Sequence, residues 1–258
     1  MSISINKKTR AFILGMTALS FIVITFSYFY YKNINSSKDP RVTSARELYE
    51  KYNNYAAQND FVNVFALLDS VEYIYNNANH FAESFEVGVL YNNRSAAYLT
   101  MALYENAPEA YMLLSKDSLL QLAQESVLKS ISIYENWLEI YSEKNSDQII
   151  NILDNDYFIG LEKYSKKEIS RFVKNRVKEI ETAQYETERR LSVAYTNLGI
   201  IYRHKEQYEQ TIESYQKAIE FWDQNLTAEN NLNILLGKPL KKRNLIQKLF
   251  PPKRKEDK

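Results

Sequence analysis

The residues that could carry chemistry in this chain are few and far apart. Its two histidines, His80 and His204, share no local motif, and there is no cysteine to act as nucleophile, thiolate ligand or disulfide partner. No G-x-S-x-G, P-loop, H-E-x-x-H or glycine-rich nucleotide loop occurs. Asp154-Asn155-Asp156 sets two carboxylates close together, but lacks the glycine and glutamate that complete a calcium loop, and reads as a solvated loop or a helix cap. This inventory points to no catalytic centre, no metal and no cofactor, so the chain reads as a non-enzyme. Its asparagines each carry both a donor and an acceptor.

Those asparagines have to be positioned by helices. The 258 residues contain only five Gly and five Pro, and no Pro stands between Pro108 and Pro239, so helix breakers are scarce over most of the length. Twenty-one tyrosines supply large amphipathic rings for helix-on-helix packing. From Pro40 to about residue 236 the apolar residues recur with helical period, and no alternating strand pattern of useful length appears.

Charge divides the chain into three. Residues 1–38 carry five positive side chains and no negative one, residues 239–258 carry +6, and the body between them carries −10. An acidic body between basic ends argues against nucleic-acid binding, which would place the basic residues along a folded face.

Residues 11–31, AFILGMTALSFIVITFSYFYY, contain no charge in 21 positions. As a helix this run would span about 30 Å, the thickness of a bilayer's hydrocarbon core. Lys7, Lys8 and Arg10 flank one side, and Tyr28, Tyr30, Tyr31 and Lys32 the other, in the manner of an interfacial belt. A cleaved signal peptide would have a shorter apolar run ending in small residues, whereas this one ends in FSYFYYKN. The reading is therefore an uncleaved single-pass anchor. The basic residues packed against its N-terminal side tilt the topology towards a soluble domain outside the cytoplasm.

Internal repetition organises the body. Residues 192–221, SVAYTNLGIIYRHKEQYEQTIESYQKAIEF, place Asn197-Leu198-Gly199 three residues before Tyr202, an aromatic Tyr208 in the turn, and Ile212, Tyr215, Ala218 and Ile219 on a second helix. This pattern resembles the tetratricopeptide repeat. Gly199 would let helix B approach closely at Thr211 and Ala218, two turns apart, with Tyr202, Tyr208 and Tyr215 filling the space around the contact. An interrupted copy reads LYNNRSAAYL, with small Ser95 three before Tyr98, and then LLQLAQESVLKSIS, with Ala123 and Ser130 seven apart. An N-terminal copy has Tyr55, Phe61, Val64 and Val71 in place, but Tyr52 stands where a small residue belongs. Between the last two copies, Ser165 and Glu168 form a capping box, and Ile169, Phe172, Val173, Val177 and Ile180 make one apolar face of a long helix.

The resemblance implies an all-α protein: an N-terminal transmembrane helix followed by a right-handed superhelical repeat domain, whose concave groove takes peptides or partner helices. The expected divisions are a basic tail (1–10), the span (11–31), a linker (32–42), the repeat domain (43–236) and a basic C-terminal tail (237–258). The groove-facing residues it implies are Val193, Thr196, Asn197, Ile200 and Arg203, with Asn92, Asn93 and Ala96 on the interrupted copy and Tyr49 and Asn53 on the first. The family's carboxylate-clamping members need cations where Tyr49, Val193 and Asn197 stand, so binding of acidic chaperone tails is not implied. In the tail, Leu245, Ile246, Leu249 and Phe250 interleave with lysine and arginine, a composition that attracts anionic lipid.

Overall fold

The computed structural model describes residues 38–104, 107–153 and 157–243. The apolar run 11–31, Asp154–Asp156 and the tail beyond 243 lie outside the described residues. Among the described residues no helix is long and apolar enough to cross a membrane, and no strand forms.

Among the described residues nine α-helices follow one another: α1 (Thr43–Tyr49), α2 (Tyr52–Ala57), α3 (Phe61–Asn76), α4 (Phe85–Tyr104), α5 (Lys116–Tyr141), α6 (Ser146–Leu153), α7 (Lys166–His204), α8 (Tyr208–Phe221) and α9 (Leu226–Leu235). Four of the starts are capped by the side chain of the residue that precedes the helix. Asp60, Ser115 and Asn225 each accept from the backbone N–H three residues on, and Ser165 with Glu168 forms the expected capping box. Three antiparallel pairs result: α1–α2 with α3, α4 with α5, and the C-terminal half of α7 with α8.

The close approach in the last pair is as the spacing predicts. A Cβ on Gly199 would lie 2.5 Å from Cε1 of Tyr215, a ring that is fully buried, so only glycine lets α7 and α8 meet there. The same device recurs at Gly88, whose Cβ would lie 2.5 Å from Cε1 of Tyr134. Ser130 Oγ seals that contact by donating to the Gly88 carbonyl at 2.8 Å. The register that sets Gly88 against Tyr134 carries Ser95 to the level of Val127, one heptad along each helix. Ser95 and Ala123 are both wholly buried. Tyr208 departs from its expected role, since it is 55% exposed at the start of α8 and fills no interior space. In the first pair, helix A breaks into α1 and α2 just before the bulky Tyr52, which stacks on Tyr49 with ring centroids 5.5 Å apart.

The expected linker 32–42 ends earlier than residue 42. Asp39 and Val42 are buried, and Arg41 pairs with Asp39 at 2.6 Å while donating to the carbonyls of Tyr157 and Ile159 at 2.7 Å each. The Tyr157 hydroxyl donates to the same Asp39 carboxylate at 2.6 Å. The other boundary moves as well. Asn230 makes two hydrogen bonds to the backbone of Lys241, and Arg243 donates to the carbonyl of Gln224, so 237–243 packs with α9.

α7 is a single helix of 39 residues, as the apolar stripe from Ile169 to Ile180 running on towards the last repeat foreshadows. Its first half is fastened by ions to the first two pairs. Arg176, 3% exposed, donates to both oxygens of Glu86 on α4, and Glu179 receives a bidentate pair of bonds from Arg46 on α1. The Arg176 guanidinium also lies 4.3 Å from the centre of the Phe81 ring. Gln184 ties α7 to the α5–α6 connection through the carbonyls of Tyr141 and Lys144.

Candidate functional site

The first helices of the three pairs lie side by side, and their polar residues meet in a ladder. Asn93 Nδ2 on α4 donates to the Tyr49 hydroxyl on α1 at 2.6 Å. One residue earlier, Asn92 Oδ1 accepts from Asn197 Nδ2 on α7 at 3.1 Å. These four residues span 148 positions of sequence, and they were singled out for the same face. Burial pushes the Tyr49 hydroxyl's pKa up, so at neutral pH it stays protonated and can donate as well as accept.

The other expected residues divide. Asn53, four positions on from Tyr49, is exposed on α2, and Val193 is 39% exposed on α7, so both extend the ladder's edge into solvent. Ala96 and Ile200 are half-buried, Ile200 against the core. Thr196 is a correction. It is 5% exposed, donates to the Ser192 carbonyl and accepts from Asn225 Nδ2 at 2.9 Å, so it holds α9 and offers nothing to a ligand. Arg203 is half-buried at the far end of α7, near enough to Tyr215 to lower that hydroxyl's pKa against the larger, opposing effect of burial. It stands away from the ladder.

Arg190 was not anticipated. It lies seven residues before Asn197 on α7, two turns along the same stripe. Its guanidinium sits 4.9 Å from the centre of the Phe85 ring, and its charge acts on the hydroxyls of both Tyr49 and Tyr134. Among the described residues no carboxylate pairs with it. Its guanidinium makes a long hydrogen bond, 3.5 Å, to Thr187 within its own helix. The repeat pattern does not include this position, but the helical spacing from Asn197 could have found it.

The recesses are lined by none of the ladder residues, and the most voluminous of them, about 470 Å³, lies between the α3–α4 connection and α5, with Asn76, His80, Trp137 and Tyr141 in its wall. Another of about 350 Å³ lies between α5, α7 and α8, lined by Leu128, Glu135, Tyr195, Glu213 and Lys217. A third, between α3, α4 and α5, is lined by Glu72, Tyr91, Lys129 and Trp137. His80, in the α3–α4 connection, and His204, at the end of α7, remain apart, and among the described residues no group of acidic residues and histidines able to hold a metal ion is found.

A three-pair stack with glycine-mediated contacts inside two of the pairs is a helical-repeat architecture. The tetratricopeptide repeat family model matches residues 192–225, from the C-terminal part of α7 through α8 to the cap of α9. No curated protein and no solved structure matches the chain. Repeats of this kind are, in general, non-catalytic modules that bind other proteins or peptides.

Proposed function

We propose that this protein is a membrane-anchored interaction module, held by the apolar run 11–31, that recruits other proteins through the face formed by α1–α2, α4 and α7. The ladder carries this reading. Polar side chains from three separate helices align along one face, and beside them stands Arg190, a cation with which no carboxylate among the described residues pairs. A partner segment laid across the ladder would find backbone-complementary amides together with a site for one acidic side chain. The basic tail adds a second attraction to anionic lipid, and the soluble domain lies outside the cytoplasm.

A second reading draws support from the recess beside Glu213, in which a partner would seat on the second helices as a fixed subunit of a larger complex. The lack of cysteine allows both to be tested by single-cysteine crosslinking of the full chain in mild detergent. Asn53→Cys and Val193→Cys should capture co-purifying protein, and Glu213→Cys should not. Capture at Glu213→Cys alone would move the partner to the opposite side. The anchor is tested separately: the protein should resist carbonate washing and keep its N-terminal peptide, whereas a mature terminus near residues 30–40 would refute it.

A further inference from the structure

We infer that the turn Phe158–Leu161 is a second membrane contact, pressing its two exposed apolar residues into the interfacial layer of the bilayer. The inference rests on the reading of 11–31 as a membrane span.

The turn is built to hold apolar side chains outward. Tyr157 and Leu161 are fully buried, yet Phe158 and Ile159 between them are 39% and 57% exposed. The Leu161 N–H donates to the Phe158 carbonyl at 3.0 Å, and Gly160 at the third position has φ +85°, as a type II turn requires. Arg41 braces the turn from below, donating to the carbonyls of Tyr157 and Ile159. The Phe–Ile pair gives this fixed turn an exposed apolar tip.

The covering partner follows from where the chain leads. The apolar run ends at Tyr31, and the described domain begins at Lys38, so six residues intervene. Fully extended, they reach at most about 22 Å, of which about 5–8 Å is headgroup layer. Three residues after Lys38 comes Arg41, whose side chain lies along the turn itself. The turn therefore lies on the part of the domain that the tether keeps within reach of the membrane. Lys163, Lys166 and Lys167 are exposed beside the turn, interspersed with Glu162 and Glu168, whose carboxylates accept from the Gly160 N–H and the cap of α7 and keep their charge. Aromatic and aliphatic side chains with lysines beside them form the usual composition of an interfacial contact.

The cysteine-free chain supplies the probe. An environment-sensitive fluorophore is placed on Ile159→Cys, on Phe158→Cys as a second site, and on Tyr208→Cys as the reference. Tyr208 is exposed and lies past the far end of α7 from the turn. The full-length variants, checked for native melting, are reconstituted into vesicles of three parts phosphatidylcholine to one part phosphatidylglycerol. At residues 158 and 159 emission should at least double, shift to the blue and be quenched by lipid carrying a shallow spin label, with no such change at 208. Vesicle-bound protein whose label at 159 stays in water, or responds no more than the one at 208, would overturn the inference and leave the anchor intact. Protein that fails to float with vesicles would overturn the anchor and the inference with it.

Discussion

Replacing Gly199 by alanine sets two effects of opposite sign against each other. Alanine in a helix interior is favoured over glycine by about 0.8–1.0 kcal/mol, so at an open position the variant would be more stable. At Gly199 the new methyl would lie 2.5 and 2.6 Å from two ring carbons of Tyr215, about 0.9–1.5 Å inside the usual carbon–carbon contact of about 3.5–4.0 Å. The ring is wholly buried and cannot swing aside, so the helices must separate. Overpacking of this kind costs about 1–3 kcal/mol. The severity of the clash places the cost in the upper half of that range, for a net loss of about 1–2 kcal/mol. For a domain of this size that lowers Tm by about 2–8 °C, read by circular dichroism on the full chain. Tyr215→Leu removes the offending ring atoms, so the double variant should be less destabilised than the sum of the singles by at least about 0.5 kcal/mol. A rise in Tm for Gly199→Ala, or simple additivity with Tyr215→Leu, would refute the close-approach argument for both Gly199 and Gly88.

Arg176→Ala should cost about 3 kcal/mol in urea unfolding, the low end for a broken buried pair, because Glu86 keeps only the more distant Arg46 at 3.8 Å, and adding Glu86→Leu should recover most of it. Burial alone would raise the Asp39 and Glu86 pKa values, but the arginines and hydrogen bonds around each outweigh it and hold both carboxyls below their usual range. Their stabilisation is therefore complete above about pH 4.3 and is lost as pH falls through the depressed folded values. The acid limb of a Tm–pH profile should flatten in Asp39→Asn, and an unchanged limb would contradict this. Asn225→Ala, which removes the cap of α9 and its bonds to Ser192 and Thr196, should cost about 2–4 kcal/mol by thermal melt.

The local parts of this fold were legible in the sequence because they depend on spacing along one helix. Gly199 three before Tyr202, the Ser165–Glu168 box and the stripe from Ile169 to Ile180 all fall where their periods put them. Gly88 carries the same spacing to Tyr91, but Ser95 before Tyr98 offers a rival site one heptad on, and both lie on the contact. Tyr208 shows the opposite failure, because the pattern names an aromatic without fixing which way it turns. Features joining distant segments left no local trace. The Arg176–Glu86 and Arg46–Glu179 pairs, and the Asp39–Arg41–Tyr157 knot that shortens the linker, unite charges whose partners lie on other helices. On the candidate face, Asn93, Asn197, Asn92 and Tyr49 were found from repeat register and meet in space. Thr196 failed because α9 packs over it. Asn197 is also tied to Asn92, so its loss would affect stability as well as any partner.

The length of α7 bears on how the molecule comes apart. Stacked repeats ordinarily behave as a one-dimensional array, with each unit fraying or folding beside its neighbour. Here one rod of 39 residues, about 58 Å long at 1.5 Å per residue, belongs to both ends of the array. Its first half is fastened to α1, α4 and α6, and its second half forms the last repeat. The first two pairs cannot complete their ion-paired seam until this late segment has been synthesised, and the last repeat cannot melt without fraying a helix that the others hold. Slowly exchanging amides should therefore extend across all three pairs as one cooperative unit, with no gradient of protection from one end of the stack to the other.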